Sequence, residues 1–150
     1  MTEDILASAI GKETQSKEFY TRVSEKITAK NAKKLLQKLA RDEASHISVL
    51  SRQYSKLFNK DIEITPEELS GKHKIAEAEV YDMETQLQIA SLGISMEDES
   101  IIFYADQFEK TDDPEEKKML KRLVQFEKGH KKKLQHQYER LNKGYSWLTR

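Results

Sequence analysis

The chain repeats itself. Moving its first third forward by 84 positions places Glu13 on Glu97, Ser16 on Ser100 and Phe19-Tyr20 on Phe103-Tyr104 without a gap. The same shift carries KKLLQKL, beginning at Lys33, onto KKMLKRL, beginning at Lys117. It carries Glu43 onto Glu127, His46 onto His130, Leu50 onto Leu134 and Tyr54 onto Tyr138. Each half is one structural unit with an apolar face that it cannot bury alone. The chain is an internal duplication, and this is its strongest organisational feature.

The repeated unit is a helical hairpin. Leu36, Leu39, Leu50 and Leu57 fall at the three- and four-residue steps of a buried helix stripe. Four helices follow from such patterns. The first runs from about Glu3 to Ile27, with Leu6, Ala9, Tyr20, Val23 and Ile27 on one face, and the second from about Asn31 to Phe58. The third spans about Ile75 to Phe108, with Leu87, Ala90, Ile94, Ile101 and Tyr104 in register. The fourth opens at Asp113, an N-cap followed by Pro114 at the first helical position and Glu116 placed to close a capping box. It ends near Leu141, before the stop signals Asn142 and Gly144. The links within each hairpin are short. The link between hairpins, NKDIEITPEELSGKH, is long, with its own capped turn at Thr65-Pro66-Glu67-Glu68 closed by Gly71. With 5 glycines and 2 prolines in 150 residues, little is left for strands and turns. The expectation is an all-α fold: one domain, residues 1–150, forming an antiparallel four-helix bundle of two duplicated hairpins joined by a long crossover.

Inside the repeat, charged residues sit where core residues belong. Continuing the stripe from Leu39 lands on Glu43 and His46, within DEASH; the second copy has Glu127 and His130, within FEKGH. The partner helices are interrupted in the same way, as Leu6-Ala9-Glu13-Ser16-Tyr20 and Ala90-Gly93-Glu97-Ser100-Tyr104. Arranged around one axis, Glu13, Glu43, His46, Glu97, Glu127 and His130 converge near the middle of the bundle. A glutamate from each of two helices plus Glu-x-x-His from each of the other two is the ligand set of di-iron and di-manganese carboxylate bundles. Four carboxylates balance two divalent cations, and carboxylate with imidazole suits iron or manganese. Buried ion pairs without metal would need basic partners on the same stripes, and two histidines cannot neutralise four carboxylates. The small residues Ala9, Ser16, Gly93 and Ser100 read either as packing residues or as room for two ions and a small oxidant. Tyr20 and Tyr104 read as core aromatics with hydroxyls bonded to a ligand or to each other, and His73 and His136 as surface residues.

Composition excludes other classes. With 26 basic and 26 acidic residues the chain has no excess charge to form a nucleic-acid footprint, and runs such as KGHKKK read as a solvated helix face. Having no cysteine removes disulfides, thiolate catalysis and iron–sulfur sites. No apolar run approaches the roughly 20 residues of a membrane span, and MTEDILASAI is no signal peptide. A soluble, cytoplasmic protein is the expectation.

The pattern ETQSKEFY, DEASH, MEDESIIFY and FEKGH resembles the di-iron domain of rubrerythrins, in the ferritin-like superfamily, over about Ile5 to Leu141. The resemblance implies a binuclear iron centre in which Glu13 and Glu97 each bind one iron terminally. Glu43 and Glu127 bridge the pair, and His46 and His130 complete the coordination. It implies an oxidoreductase that reduces hydrogen peroxide or dioxygen with electrons from an external donor, such as a rubredoxin-like protein, and the chain is expected to be a homodimer. Manganese or zinc could substitute for iron, and ferroxidase or iron-handling activity is the alternative within the superfamily. Two features depart from the family. No four-cysteine electron-transfer module is present in these 150 residues. The family's additional glutamate, one turn after the third-helix ligand, is matched by Ser100, while Glu99 points about 100° away around the helix.

Overall fold

The computed structural model describes residues 2–63 and 83–144. Four helices make up the bundle: α1 (Glu3–Lys26), α2 (Lys30–Phe58), α3 (Met83–Lys110) and α4 (Pro114–Asn142), with no strand among the described residues. Where both ends are described, helix boundaries agree with the sequence pattern to within a residue or two. The expected start of the third helix at Ile75, the turn at residues 65–71 and His73 lie outside the described residues.

The ends of α4 are made as the sequence requires. Asp113 accepts hydrogen bonds from the backbone N–H groups of Glu115 and Glu116, satisfying donors that the first helical turn leaves free. Gly144, with φ at 83°, takes the left-handed conformation just past the helix end. The capping box does not form. Glu116 turns inward, is buried, and accepts the backbone N–H of Thr2 at 2.9 Å, tying the start of α1 to the start of α4.

Cross-helix contacts give the directions. Tyr20 meets Gly93 and Glu97 while Tyr104 meets Glu13 and Ala9, so α1 and α3 run antiparallel. Asp42 meets His130 and His46 meets Phe126, so α2 and α4 are antiparallel too. With α1 and α2 joined by a short turn, α2 and α3 point the same way. The end of α2 and the start of α3 therefore lie towards opposite ends of the bundle, which a 29-residue helix makes about 43 Å long.

Two apolar clusters fill the interior. One contains Phe19, Tyr20, Val23, Leu36, Leu39, Ile89 and Leu134, the other Leu6, Ile10, Leu50, Tyr104, Leu120 and Leu123. On every helix the polar residues Glu13, Glu43, Glu97 and Glu127 fall between the two. Burying each large apolar side chain stabilises the fold by about 1.5–3 kcal/mol, and both clusters together offset the cost of the polar layer between them. The α2 stripe bends relative to the sequence pattern. After Leu50 it continues through buried Tyr54, while Leu57 is exposed. At 3.6 residues per turn, a stripe held at seven-residue spacing drifts off the buried face. On α3 the buried line is Ala90, Gly93, Glu97, Ser100 and Tyr104, flanked by half-buried Leu87, Ile94 and Ile101.

Gly93 is closely packed. A methyl group there would sit 2.9 Å from Leu134 Cδ1 and 3.6 Å from Tyr20, so the end of the Leu134 side chain would have to shift to admit it. Gly11 has nothing within 4 Å of the same position. Gly11→Ala should therefore raise stability by roughly 0.5–1 kcal/mol, the helix-interior penalty of glycine. Gly93→Ala should keep less of that gain than Gly11→Ala, because the buried Leu134 side chain has to move. Urea unfolding of both variants, free of metal, checks the contrast.

Candidate metal centre

All six side chains singled out in the sequence meet in the layer between the apolar clusters. Each helix reaches that layer at its midpoint: Glu13 from α1, Glu43 and His46 from α2, Glu97 from α3, Glu127 and His130 from α4. Glu13, Glu43, His46 and Glu127 each bring one ligand atom within 4.8 Å of the others. Glu43, Glu97, Glu127 and His130 do the same, so the two groups share Glu43 and Glu127. Either group could hold a metal ion.

The Nδ1 atoms of both histidines face inward. His46 Nδ1 lies 3.6 Å from Glu13 and 3.9 Å from both Glu43 and Glu127. His130 Nδ1 lies 2.8 Å from Glu43, 3.5 Å from Glu97 and 3.6 Å from Glu127. The rings are nearly parallel, with centroids 6.4 Å apart.

The donor set fits metal ions. Seven buried polar atoms here lack a hydrogen-bond partner among the described residues: both oxygens of Glu43 and of Glu127, Glu97 Oε2, and Nδ1 of each histidine. The 2.8 Å approach of His130 to Glu43 is an ion-pair distance without hydrogen-bond alignment. A protein rarely leaves so many acceptors buried and unsatisfied. Carboxylate oxygens pointing at one another need cations between them.

Two tyrosines hold the outer carboxylates. Tyr20 donates its hydroxyl hydrogen bond to Glu97. Tyr104 donates to Glu13 at 3.1 Å and lies 3.4 Å from the Ala9 carbonyl oxygen. Burial raises both phenols well above their usual range, reinforced for Tyr20 by Glu97 and for Tyr104 by Glu127, so both remain protonated donors.

The carboxylates respond unequally. Burial pushes Glu43 up to about 7, with Glu127 adding to the rise and His130 opposing it. Burial also raises Glu97, and the neighbouring Glu127 raises it further. Glu127 is likewise disfavoured by burial, yet Glu97 and His130 outweigh this and hold it below the usual range. For His130 burial favours the neutral ring, but Glu127, Glu43 and Glu97 overcome it and raise the group to about 12. Without metal, protons take the place of cations.

The outer edge of the site is where sequence reasoning fell short. Asp42 Oδ2 lies 3.1 Å from His130 Nε2 and 2.9 Å from Lys38 Nζ. At the equivalent place on the other side Phe126 packs on His46, with ring centroids 4.5 Å apart. Asp42 and Phe126 are exchanged by the 84-residue shift, so the signal was a mismatch in the repeat and not a motif. Ser16 and Ser100 are buried beside the glutamates, and Glu99 is exposed, so it brings no carboxylate to the layer. His136 is partly exposed and stands apart from the cluster.

Known proteins place these features. The sequence profile of the rubrerythrin family matches residues 4–138. A hypothetical protein from Pyrococcus furiosus is similar in structure, with a TM-score of 0.80 and 25% identity, over 97% of this chain and 92% of that one. CopM, solved in its Cu(II)-bound form, shares the fold with a TM-score of 0.67 and 13% identity, over 91% of this chain and 95% of that one. Among curated proteins none matches.

The raised groups fix the sign of a pH effect. Glu43 has a folded-state value of about 7 against an ordinary 4.5. Its contribution to stability is complete below about pH 4.5 and is lost as pH rises through about 7. The metal-free protein should therefore melt at progressively lower temperature between about pH 5 and about pH 7. Loading metal at pH 7 should raise the melting temperature and release protons, since bound ions displace them. Thermal melts across that pH range, with and without Fe(II) under anaerobic conditions, check both effects.

Proposed function

Because the chain belongs to the rubrerythrin family, we propose that it is a di-iron oxidoreductase that reduces hydrogen peroxide with electrons from an external donor. The carrying observation is the pair of carboxylate–histidine groups that share Glu43 and Glu127, with their ligand atoms buried and unsatisfied. In this reading Glu13 and His46 would hold one iron, Glu97 and His130 the other, and Glu43 and Glu127 would contribute to both groups. A ferrous pair held by these residues would supply two electrons, which with two protons reduce hydrogen peroxide to two waters.

The remaining roles belong to the chain. Tyr20 and Tyr104 keep the outer carboxylates oriented through hydroxyl protons that they do not surrender at neutral pH. Asp42 fixes the His130 ring from outside. The clusters of Leu36 and Leu39 on one side and of Leu6 and Leu120 on the other keep bulk water from the layer. Electrons come from a separate protein, for which a rubredoxin-like donor is the natural class, and the working unit is a homodimer.

The surroundings of the site favour this reading over continuous iron traffic. Grooves between α2 and α4 reach His46 and are bordered by Lys38, Lys118, Arg122 and Lys133, against Asp42 and Glu115. A basic margin is unfavourable for a stream of Fe(II), neutral towards peroxide, and attractive to an acidic donor. Ferroxidase activity is the second reading. It is favoured by buried Ser100 and exposed Glu99, which leave six protein ligands and no additional carboxylate.

Anaerobic loading should give two irons per chain. Glu127→Ala should lose both, whereas Glu13→Ala should weaken mainly one, as metal analysis will show. Stopped-flow oxidation of the ferrous protein should be faster with peroxide than with dioxygen. Faster oxidation by dioxygen would move the assignment to ferroxidase.

A further inference from the structure

The two halves of the centre match in their inner residues and differ in the layer behind them. His130 is held from outside by a carboxylate, Asp42, whose own oxygen is shared with Lys38. That bond leaves Nδ1 directed at Glu43, Glu97 and Glu127. His46 has no such support: among the described residues no ion pair reaches its Nε2, and its outer face meets Phe126. The difference follows the repeat, since Asp42 and Phe126 occupy equivalent positions in DEASH and FEKGH.

Access differs in the same direction. The His130 side chain is 4% exposed and that of His46 is 12%. Phe126 is 47% exposed, and of the grooves on its two sides, of about 400 and about 380 Å³, both are bordered by His46 and only the second by His130. Phe126 is therefore a partial cover over the His46 edge.

Resting on the reading of this layer as a two-metal centre, we propose that its positions are unequal and fill in order. The His130 position fills first and holds its ion. The His46 position, under Phe126, fills second and exchanges. An outer hydrogen bond fixes a metal-ligating imidazole in the right tautomer and orientation, and its loss typically weakens metal binding on the order of 10- to 100-fold. Asp42 is thus a positioning residue for one half of the site, and Phe126 marks the half where that device is missing.

Zn(II) titrated into the metal-free protein, in competition with a chelating dye, tests the order, together with NMR of the imidazole rings. Two steps separated by on the order of 10- to 100-fold are expected. At one equivalent the His130 ring signals should move and those of His46 should not. Phe126→Asp supplies the missing carboxylate on a half-exposed side chain, so the fold should survive, and the second step should tighten towards the first. Asp42→Phe should weaken the first step until the two merge, whereas Asp42→Asn, which keeps an acceptor oxygen, should retain more of the separation. A first equivalent that moves His46, both rings shifting together in one step, or a Phe126→Asp variant with an unchanged second step would overturn the ordering and leave the metal centre standing. Absence of any zinc binding would overturn the metal centre itself, and the ordering with it.

Discussion

Four carboxylates buried within a few ångströms of one another are the constraint on which the rest of this molecule depends. Such a cluster is unstable unless cations, protons or donors compensate it. Every unusual feature of the interior answers that demand. Two histidines enter from α2 and α4, two phenols donate from α1 and α3, and His130 is held protonated in the absence of metal. The apolar clusters above and below supply the stability that lets the polar layer persist. Without both clusters the layer would open to water and the repulsion would relax by unfolding.

The duplication explains how so costly a layer can be assembled. A single hairpin contributes one Glu and one Glu-x-x-His, a half-site that cannot enclose a pair of ions. Two hairpins in antiparallel array bring the half-sites face to face and cross their tyrosines. Tyr20 of the first hairpin serves Glu97 of the second, and Tyr104 of the second serves Glu13 of the first. Each half thereby depends on the other for its hydrogen bonds. Exchange of that kind selects one relative register of the hairpins, because a slip of one turn would leave both phenols and both carboxylates without partners.

Most of this was legible before the structure, for physical reasons that can be named. Helix faces, their interruptions and the six converging residues were readable because burial imposes a period, and a glutamate within a leucine stripe violates it. The N-cap at Asp113 and the stop at Gly144 were readable because local hydrogen bonding and a positive φ restrict residue choice. Leu57 was misread because the seven-residue spacing drifts from a straight helix. Glu116 was misread because a capping box and a tertiary bond to Thr2 place the same residue at the same position. Asp42 and Phe126 escaped notice because their function lies across the bundle. A contact between α2 and α4 leaves no trace in the spacing of either helix.

The places where the two hairpins differ are informative in their own right. Glu116 corresponds to Ala32, and only Glu116 has a carboxylate to accept the backbone N–H of Thr2. Gly93 corresponds to Ala9, and only beside Gly93 does Leu134 press against the helix. Tyr54 is buried and bonds Glu3 at 2.5 Å, whereas its counterpart Tyr138 is 37% exposed and the residue equivalent to Glu3 is Leu87. In the first two cases the residue itself changed and in the third its partner did, while the six inward residues and the tyrosines Tyr20 and Tyr104 stayed alike. Asp42 and Phe126 belong to this set, with the difference that they stand directly behind the site. Symmetry in the inner layer keeps the shared carboxylates shared. Any inequality between the two positions therefore has to be written in the layer outside, where a change can adjust one histidine without dismantling the other.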